Sequence, residues 1–150
     1  MEQSSIMTGK KKVFITVSLI ILVAVAIGSY LWNKPGVNVS GTEGVKASAR
    51  VLYKIFSTDS LQAKKTYAQQ VVEVGGVVTA TSVNQQNQTV VLLNTGMQGS
   101  NINCTMEGKA ERIKNGDSVN IKGICNGLGQ GDADMGILGD VYLVRCYEVK

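Results

Sequence analysis

Among its 150 residues the chain has no histidine. That removes Ser-His-Asp and Cys-His nucleophile systems and the common zinc ligand sets. No glycine motif follows a strand and opens a helix, so no phosphate cradle is expected. Cysteine occurs three times but never as CxxC, which leaves no thioredoxin-like redox motif. Large rings are scarce: from residue 67 onward there is no Trp and no Phe, only Tyr67, Tyr142 and Tyr147. Neither catalysis nor a bound cofactor or metal is therefore expected.

The formal net charge of +4 would suit a nucleic-acid binder if it were spread over the folded part. It is not. Residues 1–32 carry three lysines against one glutamate, and residues 33–66 carry six basic side chains against two acidic ones. Residues 67–150 carry six basic against eight acidic. The C-terminal part is slightly acidic, and a nucleic-acid groove needs cations and stacking rings together.

Val13 to Trp32 is an uncharged run of 20 residues, about 30 Å as a helix and long enough to span a bilayer core. Lys10, Lys11 and Lys12 precede it, and Tyr30 and Trp32 stand where an interfacial aromatic belt would lie. The expectation is a single-pass inner-membrane anchor (13–32) with a cytoplasmic N-terminus (1–12), placing everything after Trp32 in the periplasm or outside the cell. The alternative is secretion after cleavage near Ala24-Val25-Ala26; no cysteine marks a lipoprotein site. Residues 33–44, which hold the only proline, read as a tether reaching about 40 Å at most. Residues 45–150 form the folded domain.

Within that domain Val45 to Ser57 reads as a helix with Val51, Leu52, Ile55 and Phe56 on its apolar stripe. Asp59, three residues before Gln62, starts a second helix through Tyr67. Val71 to Thr81 then alternates as a strand: Val72, Val74, Val78 and Ala80 share one face, and Gly76 completes the row. Its paired glycines predict a bend or a close backbone approach. Four more strands follow at Thr89–Asn94, Asn101–Met106, Ser118–Cys125 and Asp140–Val149, with a short helical turn expected within Lys109–Lys114. The fold class predicted is mainly β, a five-stranded OB-fold barrel preceded by one or two short helices and the transmembrane helix.

In such a barrel the third and fifth strands are parallel neighbours, which brings Cys104 beside Cys146. Outside the cytoplasm the expected disulfide is Cys104–Cys146 with Cys125 a buried thiol; the alternative is three buried thiols. Asp132, Asp134 and Asp140 do not make a calcium loop, because the EF-hand glycine would fall on Ile137 and the terminal acid on Leu143. They read as a solvated loop.

The stretches TYAQQVVEVGGVV, NINCTM, IKNGDSVNIKGICNG and GILGDVYLVRCYEV together resemble the tRNA-anti-like OB-fold family of small bacterial envelope proteins. The matching positions are Tyr67, Val72, Val74, Gly76 and Val78; Cys104; Lys114, Gly116, Asp117, Val119, Ile121 and Gly123; and Asp140, Val141, Leu143 and Cys146. The resemblance covers roughly residues 45–149 and implies an anticodon-binding-like barrel. This chain departs from the pattern by an enlarged loop, NGLGQGDADM at Asn126 to Met135. The functional expectation is a non-catalytic, membrane-anchored extracytoplasmic binding module with a protein partner in the cell envelope. Its binding loops would present Gln85, Gln86, Gln130, Asp132 and Asp134. The alternative is an OB-fold that binds single-stranded nucleic acid or oligosaccharide.

Overall fold

The computed structural model describes residues 4–33, 36–132, 134–136 and 138–150. It divides into two units at residue 37. The first contains helix α1, Ser4–Trp32, and Val13–Trp32 within it is long and apolar enough to cross a membrane. No charged side chain interrupts that stretch, so helix formation satisfies its backbone polar groups internally, as a bilayer core demands.

The second unit is a β-barrel with helices packed over one end. Its strands are β1 (Val45–Ser48), β2 (Val71–Val83), β3 (Thr89–Asn94), β4 (Asn101–Met106), β5 (Ser118–Leu128) and β6 (Val141–Val149). β2 pairs antiparallel with β3 through its C-terminal half and with β5 through its N-terminal half. β3 pairs antiparallel with β4, β4 lies parallel to β6, and β6 returns antiparallel to β5. Closure through the long β2 makes a five-stranded OB-fold barrel. The alternating residues Val72, Val74, Val91, Leu93, Ile102, Leu143 and Ile121 fill its interior, all fully buried.

β1 departs from the sequence expectation. Val45–Ser48 is not the start of a helix but a short edge strand parallel to β2, with Val45 opposite Val72 and Ser48 opposite Gly75. Pairing with the first half of β2 outcompetes a helical turn that lacks a cap until Ser48. There the Ser48 hydroxyl accepts from the Val51 N–H at 3.3 Å and opens α2, Ala49–Thr58. Of the expected stripe of α2, Leu52 and Phe56 are buried and Ile55 packs half-buried against the core, but Val51 is 51% exposed, and Ala49 and Tyr53 are buried instead. Both sets have helical spacing, and the barrel opening selects the one that adds the Tyr53 ring to that of Phe56.

Asp59 caps α3, Ser60–Tyr67, by accepting from the Gln62 N–H at 3.0 Å, and the Phe56 and Tyr67 rings meet at 6.2 Å between centroids. The stretch expected to be a free tether is split. Residues 34 and 35 lie outside those described, whereas Val39 is buried against Val71 and Ile124 on the outside of the barrel. Asn38 organises that segment as a turn, its Oδ1 accepting from the Ser40 hydroxyl and the Gly41 N–H. Between β4 and β5 the expected helical turn is a single hydrogen bond from Ile113 N–H to Ala110 C=O; Ala110 and Ile113 join the core there.

Gly76 shows why a glycine stands in the middle of β2. A Cβ there would lie 3.1 Å from the Ala49 Cβ and 3.2 Å from the Leu93 Cβ. The missing side chain lets α2 sit directly on the strand.

Candidate binding surface

The outward side chains of β2, β3, β4 and β6 form cross-strand rows set by the ladder register. Ala80 faces Leu92, Leu92 faces Asn103, and Asn103 faces Tyr142. The neighbouring rows are Ser82, Val90 and Thr105, and then Asn94 with Asn101. The Thr79 hydroxyl, which donates to the Leu92 C=O and the Asn101 Oδ1, closes the last row. This is the side on which OB-folds take their ligands. The rows contain no lysine, no arginine and no carboxylate, and one ring, that of Tyr142.

Arg145 borders the face near Thr105. Its Nε donates to the Glu107 Oε2 at 3.0 Å, so its charge is already matched. Arg145 has a left-handed backbone (φ +54) at an irregularity where β6 opposes β5, which is how a bulge turns the following side chain inward. The same carboxylate neighbours Tyr147, whose phenol is held above its ordinary range by desolvation first and Glu107 second.

The long loop between β5 and β6 lies at the end of the barrel where β3 turns into β4. The Asp140 Oδ1 accepts from the Asn101 N–H at 2.8 Å, and the Gly129 N–H donates to the Asp140 C=O at 2.8 Å. Gly129 sits against the Tyr142 ring: a Cβ on it would lie 2.5 Å from a ring carbon. Both loops at this end carry exposed apolar groups. Met97 in the β3–β4 turn is 47% exposed, Met135 69%, Leu138 43% and Tyr142 39%. Nothing in the alternation pattern singled these four out, because each lies in a turn or at a strand start. A scan for methionines in glycine-rich loops would have found Met97 and Met135.

The residues proposed from sequence fall into two groups. Gln130, Asp132 and Asp134 are exposed in this long loop, where the Asp132 Oδ1 accepts from the Asp134 and Met135 N–H groups; residues 133 and 137 lie outside those described. Gln85 and Gln86 are exposed in the β2–β3 turn, built on Asn84 Oδ1 and on Asn87 at φ +60. That turn is at the other end of the barrel, beside Thr89 and Thr105. The two loops do not form one surface. Among the described residues no group of His, Cys, Asp and Glu is arranged to hold a metal.

Cys104, Cys125 and Cys146 are all buried thiols in this structure. Cys104 and Cys146 share a hydrogen bond, which is the first cause of the upward shift of the Cys146 thiol; burial is the second. Burial also raises Cys125, partly offset by the Gly127 N–H.

A closed barrel of this strand order is an OB-fold domain. The chain belongs to the tRNA_anti-like family, whose model matches residues 7–138. The matched residues take in the apolar run and end before β6. No curated protein matches the chain. Among solved structures it is similar to one assigned as an aspartyl-tRNA synthetase from Leishmania major Friedlin, with 10% identity and a TM-score of 0.43. The alignment takes in 85% of this chain and 26% of that one.

Proposed function

We propose that the protein is a membrane-anchored, non-catalytic binding module whose barrel stands outside the cytoplasm and whose ligand is another protein. The observation that carries this reading is the exposure of Met97, Met135, Leu138 and Tyr142 in and beside the two loops at one end of the barrel. Methionine and tyrosine are enriched at the centres of protein interfaces, and lysine and glutamate are depleted there. The adjoining uncharged rows fit the same partner. A nucleic-acid strand would need phosphate contacts and several stacking rings; the rows offer one tyrosine, with Arg145 at one border already paired to Glu107 and Arg50 beside Gly96 at another. The anchor is α1, and Lys10 to Lys12 before the apolar run favour a cytoplasmic N-terminus.

Two measurements test the reading on the full chain in its membrane. A reporter fused after Lys150 should be active only as an extracytoplasmic fusion; activity confined to the cytoplasm contradicts the topology. M97D and M135D together should abolish partner recovery by crosslinking while leaving the fold intact, since both side chains are exposed. Salt-sensitive micromolar binding of a single-stranded oligonucleotide, with no protein adduct recovered, contradicts the choice of ligand.

A further inference from the structure

Strands β4 and β6 form the parallel pair of the barrel, and each sends one thiol inward. Cys104 on β4 stands in register with Leu143, and Cys146 on β6 with Met106, with an irregularity between the two pairs. That irregularity includes Arg145, whose left-handed backbone inserts an extra residue and rotates Cys146 into the core. Space for its sulfur comes from a third strand. A Cβ on Gly123 of β5 would lie 2.5 Å from the Cys146 Sγ and 3.1 Å from the Val144 C=O. Glycine at 123 is therefore what lets the sulfur sit where it meets Cys104. Both cysteines are fully buried, and Cys125, in register with Leu143 on the opposite side, is not in this contact.

We propose that Cys104 and Cys146 form a disulfide while the chain folds, and that closure of the barrel then seals that pair in whichever redox state it has reached. The step is thiol–disulfide exchange with a small-molecule or protein disulfide as oxidant. One cysteine thiolate attacks the donor disulfide and releases one donor thiol. The second cysteine displaces the other donor sulfur, so two electrons pass to the donor and two protons leave the cysteines for its thiols. A donor must reach the sulfurs in line, which the open chain permits and the packed barrel does not. The upward shift of the buried Cys146 thiol acts in the same direction, since the thiolate is the nucleophile. In the cell the oxidised form rests on the extracytoplasmic placement proposed above.

The full chain isolated from membranes after acid trapping should, when denatured, alkylate at Cys125 alone before reduction and at all three cysteines after it. Peptides carrying Cys104 and Cys146 should be linked. The oxidised chain in detergent should keep its bridge under a thiol reductant and lose it at least 100-fold faster once denaturant is added. G123A should lower the yield of the bridge on refolding with oxidised glutathione, whereas C125A should not, and the second variant keeps the test valid if the first misfolds. A bridge that includes Cys125, or one reduced equally fast with and without denaturant, overturns the proposal. Refolding also separates the two ideas. A Cys104–Cys146 bridge there with three free thiols in the cell contradicts the placement, and no bridge in either contradicts the geometry.

Discussion

The carboxylate of Asp140 accepts the Asn101 backbone N–H at 2.8 Å, tying the last residue of the long loop to the first residue of β4. This bond sets where the loop leaves the barrel, and so where Met135 and Leu138 stand relative to Met97. Replacing Asp140 with Ala removes a charge-assisted hydrogen bond, and the expected cost is about 1.5–3 kcal/mol. Amide exchange at Asn101 and Gly129 should speed up together in D140A, with exchange at Leu93 much less affected. Unchanged exchange at both sites would show that the loop is held by other contacts.

The face that α2 buries is tested by truncation. Phe56→Ala should destabilise the full chain by about 3–5 kcal/mol and Leu52→Ala by about 2–5 kcal/mol, because both leave cavities in a fully packed end of the barrel. Val51→Ala, on the exposed side, should stay within about 0.5 kcal/mol. Denaturant titration in detergent reads all three. A Val51 effect as large as that of Leu52 would restore the stripe expected from sequence.

Gly76→Val should cost more than the loss of strand flexibility returns. Its side chain would have to displace Ala49 or Leu93, each already near 3.1–3.2 Å from a bare Cβ, and overpacking of this kind costs about 1–3 kcal/mol. Limited proteolysis at α2 should accelerate in G76V, because the helix is the movable partner. Resistance equal to wild type would mean that the helix does not need the gap.

How much of this was legible in the sequence follows from the physics of each element. The barrel strands alternate, so Val72, Val74, Val78, Ile102 and Ile121 declared their inward face; Ala80, expected on that face, is turned outward opposite Leu92 by the irregularity between Val78 and Ala80. β1 did not. Four residues, VKAS, continue smoothly into a helical pattern, and only their pairing with β2, far along the chain, makes them a strand. Ala49, Leu52, Tyr53 and Phe56 have helical spacing, as does the stripe read from sequence with which they share Leu52 and Phe56, and the choice between them is tertiary. The Asn38 turn and the burial of Val39 were hidden in a stretch that composition reads as a linker. The candidate surface was half legible: the long loop was, the participation of Met97 was not, and the separation of Gln85 and Gln86 from that loop required the register.

The reduced barrel should lose stability in alkali. The folded Cys125 and Cys146 thiols are held above their ordinary range, while in the unfolded chain they ionise near pH 8.5. Above that value the unfolded state binds fewer protons than the folded one. The stabilisation is therefore fully present below about pH 8 and falls as pH rises, by up to about 1.4 kcal/mol per pH unit for each thiol. Denaturant midpoints of the reduced chain between about pH 8 and 9.5 should decline more steeply than those of the Cys104–Cys146 oxidised chain, which keeps one titrating thiol. Equal slopes would contradict the burial of that pair.

The most direct measurement of the account is site-specific photocrosslinking of the full chain in its own membrane. A photoreactive residue replaces Met97, Met135 or, at the other end of the barrel, Gln86. The account predicts one discrete protein adduct shared by the Met97 and Met135 positions and absent from the Gln86 position. Adducts from Gln86 alone, or equal adducts from all three, would contradict a binding surface formed by the β3–β4 turn and the β5–β6 loop.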